Sequence, residues 1–197
     1  MPLAANKAAI MGVAGTAAAG DVVLLYDNDF TDETTISITS GIDSTYGEYI
    51  FKFYNINPAT DDVEFGFQGN ATDGADYNDS AITSTAFVGY HKEDDSAANV
   101  NYEAGHDLAQ DTTFQTIAFD QGNGGDESCA GELHLFNPSS TTYVKQWYAR
   151  SNGYAQSDMT QDFFTAGYFN DTTAIDDIQF KMSSGNFDGT IKMWGVK

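Results

Sequence analysis

The sequence predicts an all-β protein, an antiparallel β-sandwich, and three observations lead there. Apolar residues alternate in short runs instead of recurring at helical spacing. Clusters of Gly, Asn, Asp and Ser separate those runs, as turns with positive φ or Asx hydrogen bonding require. Fourteen Phe and eleven Tyr in 197 residues are too many for a disordered acidic chain, and the length suits one well-buried core.

The elements follow in order. Residues 1–20 are rich in Ala and Gly. Lys7 and the run Ala17-Ala18-Ala19 imitate a signal peptide, but Gly12 and Ala14 interrupt Ile10, Met11 and Val13, so the apolar stretch is weak. We read this segment as an arm that orders against a neighbour, and residues 21–197 as a single domain. No run approaches the about 18 apolar residues of a membrane-spanning helix. A first strand is expected at 22–26. Over residues 43–55, Tyr49, Phe51 and Phe53 fall on one side of an extended chain and Glu48, Ile50, Lys52 and Tyr54 on the other. Similar segments are 63–68, 82–91, 113–119, 132–136, 142–150, 163–169, 175–182 and 189–196. The first and last strands are expected to pair near an edge.

An internal correspondence divides the domain into two halves, about 43–120 and 131–197. The stretch from Tyr49 through Asn57-Pro58 to Val63-Glu-Phe-Gly-Phe67 matches the stretch from Gly131 through Asn137-Pro138 to Tyr143-Val-Lys-Gln-Trp147. Both are expected to be hairpins around Asn-Pro, followed by polar loops from Asn70 and Asn152, because proline presets φ at a turn. Ala86-Phe-Val-Gly89-Tyr90 then matches Phe164-Thr-Ala-Gly167-Tyr168, and Thr116-Ile-Ala-Phe119 matches the strand beginning Thr190-Ile-Lys-Met193. A half of about four strands cannot bury both sheet faces, so the halves should share one core, in a sandwich of jelly-roll or concanavalin-like type. A closed barrel is the second option.

Composition narrows function by exclusion. Eight Lys and Arg stand against twenty-nine Asp and Glu, a formal net charge of -21. Such a chain repels phosphate backbones and anionic lipid, so neither nucleic acid nor membrane is an expected partner. The charge suits solubility in a salty medium or at high copy number. Cys129 is the one cysteine, with no zinc-type spacing around it, and reads as a buried inert thiol. His91, His106 and His134 lie in unrelated contexts, with His134 expected at solvent or a sheet rim. Gly122-Asn-Gly-Gly125 lacks the Lys-Ser/Thr and the helix of a phosphate loop and reads as a turn. The oxygen-rich run from Asn70 to Asp79 lacks the EF-hand order, so a solvated acidic turn is its default reading and a loop calcium ion the alternative. Carboxylates are too abundant for any pair to indicate glycoside hydrolysis. No catalytic residue, cofactor or metal is therefore assigned. Trp147, Tyr148 and Tyr154 could form a sugar-stacking platform; the competing reading puts Trp147 in the core and one tyrosine at a sheet edge.

Four segments carry a resemblance: Tyr-Ile-Phe-Lys-Phe-Tyr-Asn-Ile-Asn57-Pro, His134-Leu-Phe-Asn-Pro-Ser-Ser-Thr-Thr, Ala-Gly-Tyr-Phe-Asn170, and the ending Gly-Asn-Phe-Asp-Gly-Thr-Ile-Lys-Met-Trp-Gly-Val-Lys197. From about Asp21 onward the chain resembles a family of virion structural proteins of marine tailed phages. The last strand of that family typically reads Ser-Gly-Thr-Ile-x-Leu-Tyr-Gly-Val-Lys; here Asp188, Met193 and Trp194 replace the Ser, Leu and Tyr and keep the strand alternation. The resemblance implies a non-enzymatic component of the virus exterior, either capsid decoration or tail- or fibre-associated, and the single cysteine favours assembly in the reducing host cytoplasm. It implies other virion proteins and copies of itself as partners. A carbohydrate-binding module recognising a host surface glycan is the alternative.

Overall fold

A computed structural model describes residues 21–72 and 76–197; the expected arm of residues 1–20 lies outside them. Thirteen strands follow one another without a helix among the described residues: β1 (Val22–Glu33), β2 (Thr35–Ile38), β3 (Glu48–Pro58), β4 (Val63–Ala71), β5 (Ile82–Lys92), β6 (Ala98–Tyr102), β7 (Ala109–Asp111), β8 (Gln115–Gln121), β9 (Cys129–Phe136), β10 (Lys145–Ala155), β11 (Met159–Phe169), β12 (Ile175–Met182) and β13 (Phe187–Val196). Every pairing is antiparallel.

Two layers result. The large one runs β1-β13-β3-β9-β10-β11-β5, with β6 and β7 on the far side of β5. The small one runs β8-β4-β12-β2. A single residue pair, Ala155 with Gln121, joins them at one corner, so the sheet is folded over on itself and nearly barrel-like. The protein is an antiparallel β-sandwich, as its alternating sequence predicts.

Alternation explains the core. Tyr49, Phe51 and Phe53 are buried on the inner side of β3, while Lys52 and Tyr54 are exposed on the other. Their rings meet those of the small layer: Phe51 lies 5.7 Å from Phe180, Phe53 lies 5.2 Å from Phe65, and Trp147 of β10 lies 5.0 Å from Phe67. Burying each such ring contributes about 1.5–3 kcal/mol, and each edge-on pair about 0.5–1.5 kcal/mol more. A smaller core of Ala86, Val88, Phe119 and Phe163 fills the space between β5, β11 and β8.

β1 pairs with β13 at the open edge of the large layer, with Leu24 opposite Trp194, which is the expected partnership. Gly189 has φ +155°, and a Cβ there would lie 2.5 Å from Ile56 Cδ1, so the bulge in β13 at this point requires glycine. Eight non-glycine residues have positive φ among the described residues, and all but Gln110 are Asp or Asn, the chemistry that the separating clusters announced.

Three expectations are corrected. β3 and β4 do not form a hairpin around Asn57-Pro58: β3 lies between β13 and β9, and β4 between β12 and β8 in the other layer. Pro58 instead ends the large-layer strand and the chain crosses over. Around Asn137-Pro138 the hairpin does form, since β9 and β10 are neighbours, so the correspondence between the halves does not extend to the pairing scheme. The polar loop expected from Asn152 is strand, because Asn152 Nδ2 donates to Thr160 Oγ1 and to the Gln161 carbonyl of β11.

Candidate functional site

The outward phase of β3 propagates across the large layer through its registers. In one row, Leu24, Trp194, Ile50, His134 and Tyr148 stand side by side on five strands. In the next, Asp27, Lys192, Lys52, Glu132 and Arg150 lead to Phe164, Phe87 and Tyr102. A third contains Ala130, Asn152, Asp162, Gly89 and Val100.

Eight large apolar or aromatic side chains are exposed among the described residues, and seven of them are on this face: Val22, Leu24, Tyr54, Phe87, Val100, Tyr102 and Tyr148. The eighth, Tyr143, belongs to the connection between β9 and β10. The exposed apolar side chains of this acidic chain are thus concentrated on one side.

The side chains of this face are held by one another. His134 stacks on Tyr148 with centroids 4.5 Å apart and rings 14° from parallel, and its Nδ1 lies 2.6 Å from Glu48 Oε1. Phe87 stacks on Phe164 at 4.8 Å, and the Arg150 guanidinium covers Phe164 at 4.8 Å. Arg150 also donates from Nε and Nη2 to the two oxygens of Asp162, and this charge-assisted pair raises its pKa. Lys192 donates to Asp27 at 3.0 Å, and Lys52 lies 3.6 Å from Glu132. Each of the three cations of the face is thus matched with a carboxylate, while Asp29 accepts from the Thr190 hydroxyl and Glu48 lies against His134. The small residues of the third row leave two shallow, open depressions, about 430 Å³ around Arg150, Asn152 and Asp162 and about 500 Å³ around His91, Asn99 and Val100.

The proposed sugar platform is not assembled as a unit. Trp147 is 2% exposed in the core, whereas Tyr148 is 42% exposed on the outer face. Tyr154 shares that outer phase six residues away, about 20 Å along the strand. Its hydroxyl donates to Asp158, a bond that pushes its pKa up to about 12.

The histidines are likewise separate. His91 is exposed beside Asp95, and His134, expected at solvent or a rim, is nearly buried beneath its aromatic neighbours. His106 stacks on Phe119 at 4.4 Å, with Nε2 3.5 Å from Glu64 Oε1. That carboxylate raises the pKa of His106, and the imidazole lowers that of Glu64. Thr116 Oγ1 donates to the other oxygen of Glu64. This cluster ties β4 and β8 to the segment before β7.

Cys129 is buried, and desolvation pushes its thiol up to about 12, so it is an inert core residue. In the Gly122–Gly125 turn, the Glu127 carboxylate accepts from the Gly124 amide and occupies the space that side chains at Gly122 and Gly124 would need. The chain's own carboxylate fills the one place that resembled an anion cradle. Residues 73–75 of the Asn70–Asp79 run lie outside the described residues; among those described, no group of three His, Cys, Asp or Glu is placed to hold a metal ion.

Fold and surface define a β-sandwich with one aromatic-rich outer face. No protein-family model matches the chain, and no curated protein matches it in sequence. A solved structure of a Bacteroides ovatus protein of unknown function aligns with 52% of this chain and 45% of its own, at 4% identity and a TM-score of 0.28.

Proposed function

We propose that this chain is a non-enzymatic structural protein of a bacteriophage virion, placed on the particle exterior as capsid decoration or as a tail-associated layer, where it binds neighbouring subunits. The observation that carries the reading is the gathering of exposed aromatic and apolar side chains on the outer face of the large layer, which continues to its open edge at Val22 and Leu24. The sequence resemblance supports it in a consistent way. Its residues have structural roles: Ile191 and Met193 enter the core, Lys192 and Trp194 join the outer face, and Gly189 permits the bulge.

The acidic remainder of the surface suits a protein held at high density in sea water, where dissolved salt screens repulsion between copies. The test is to purify the phage particles that carry this gene and quantify the protein in them by mass spectrometry. Copies in fixed stoichiometry are expected, and Leu24→Asp combined with Tyr148→Glu should prevent incorporation of an otherwise folded chain. A protein missing from washed particles, or a doubly substituted chain incorporated like the wild type, overturns the proposal.

A further inference from the structure

We infer that the outer face of the large layer pairs two copies of this chain face to face. The inference rests on the reading of this face as a protein contact surface and commits to its occupant. Charge selects that occupant. At a formal net charge of -21, two copies repel each other over most approaches. On this face each cation is already matched, Lys192 with Asp27, Lys52 with Glu132 and Arg150 with Asp162, Glu48 lies against His134 and Asp29 accepts from Thr190, and three of the chain's eight Lys and Arg are gathered here. A strongly cationic partner would be drawn to the acid-rich surface elsewhere. A partner as acidic as this chain meets least repulsion here, and a second copy is such a partner.

Size agrees with that choice. From β1 to β6 the face spans seven inter-strand steps. Steps of about 4.8 Å and three side-chain rows each about 7 Å wide give roughly 700 Å² per copy, or roughly 1,400 Å² in total, inside the range of about 1,200–2,000 Å² for stable pairs. Two copies share one twist, so their faces can stack in the aligned manner of sandwich layers, about 10 Å apart. Such an isologous contact closes at two subunits.

Edge-to-edge addition through β1 is the competing geometry. Asp27 and Asp29 oppose it, because a centred antiparallel pairing of two β1 strands brings these mid-strand acids of the two copies close to one another.

The experiment is sedimentation velocity on the full chain across the micromolar range, at low and high salt, with three variants. Phe87→Glu and Tyr148→Glu alter the face at exposed positions, and Tyr143→Glu alters the exposed tyrosine away from it. The wild type and Tyr143→Glu should form dimers that tighten as salt screens the net charge. Each face variant should weaken dimerisation about tenfold or more, and together they should give a monomer with an unchanged circular dichroism spectrum. A monomeric wild type overturns the inference, whether residues 1–20, a glycan or a different protein covers the face. So does a dimer that responds to Tyr143→Glu but not to the face variants. A monomer still found in purified particles separates failure of self-pairing from failure of the virion reading.

Discussion

Replacing Asp120 by Asn should stabilise the protein at neutral pH. Asp120 follows Phe119 at the rim of the smaller core, half-buried and with φ +52°. Burial is the main cause of its raised pKa; Asp62 and Glu64 add to the shift, whereas a hydrogen bond from Gln161 Nε2 at 3.3 Å and the charge of His106 oppose it. The folded state therefore favours the protonated carboxyl more than the unfolded chain does. For an acid shifted upward, the stabilising contribution is complete below the unfolded pKa and is lost as pH rises through the folded one. Asparagine keeps the shape and the acceptor oxygen without the charge. Because the site is partly solvated, the expected gain at about pH 7 is about 0.5–1 kcal/mol. Asparagine also tolerates positive φ well, which adds a term independent of pH. Urea denaturation of both proteins between about pH 3 and about pH 7 separates the two: the curves should diverge as pH rises. A constant difference across that range would refute the electrostatic reasoning.

His106→Phe keeps the ring stack on Phe119 and removes the pair with Glu64. The raised pKa makes the His106 contribution complete below its unfolded pKa and lost as pH rises through the folded one, while the Glu64 contribution is lost as pH falls through its lowered pKa. The variant should therefore be less stable by about 0.5–1 kcal/mol in mildly acidic solution and nearly equal at either extreme, with equal losses in urea melts at all pH values counting against the pair. Trp147→Ala should cost about 3–5 kcal/mol, and Tyr148→Ala less than about 1 kcal/mol, measured by thermal or urea unfolding. Equal losses would reverse the assignment of inner and outer faces. Cys129, with its thiol pushed up to about 12, should resist a thiol reagent until the chain unfolds, and fast stoichiometric labelling of the native protein would contradict its burial.

The sequence made some of this legible and concealed the rest for identifiable reasons. Tyr49, Phe51 and Phe53 could be phased because a strand buried on one side has a period of two. β6 could not: most of Ala98–Tyr102 is exposed and alternation has no buried side to report. β2 and β7 have four and three residues, too few to show a period. Ser151-Asn152-Gly153 has the composition of a turn, but Asn152 bonds across to β11 and Gly153 is buried close to the Gln121 side chain. The candidate face was hidden most completely. Its aromatic residues come from strands scattered over the chain, and only the order of pairing brings Leu24, Ile50 and Tyr148 into one row.

The position of β13 bears on when this protein can become functional. β13 is inserted between β1 and β3, so that Lys192 bonds to Asp27, a residue 165 positions earlier. During synthesis, β1 has no neighbour on its inner side until the ribosome has delivered β13. Folding must wait on contacts of long sequence separation, which predicts slow maturation and leaves interrupted chains without a complete large layer. An assembly that recruits only the finished face would then exclude truncated copies, with no separate inspection step.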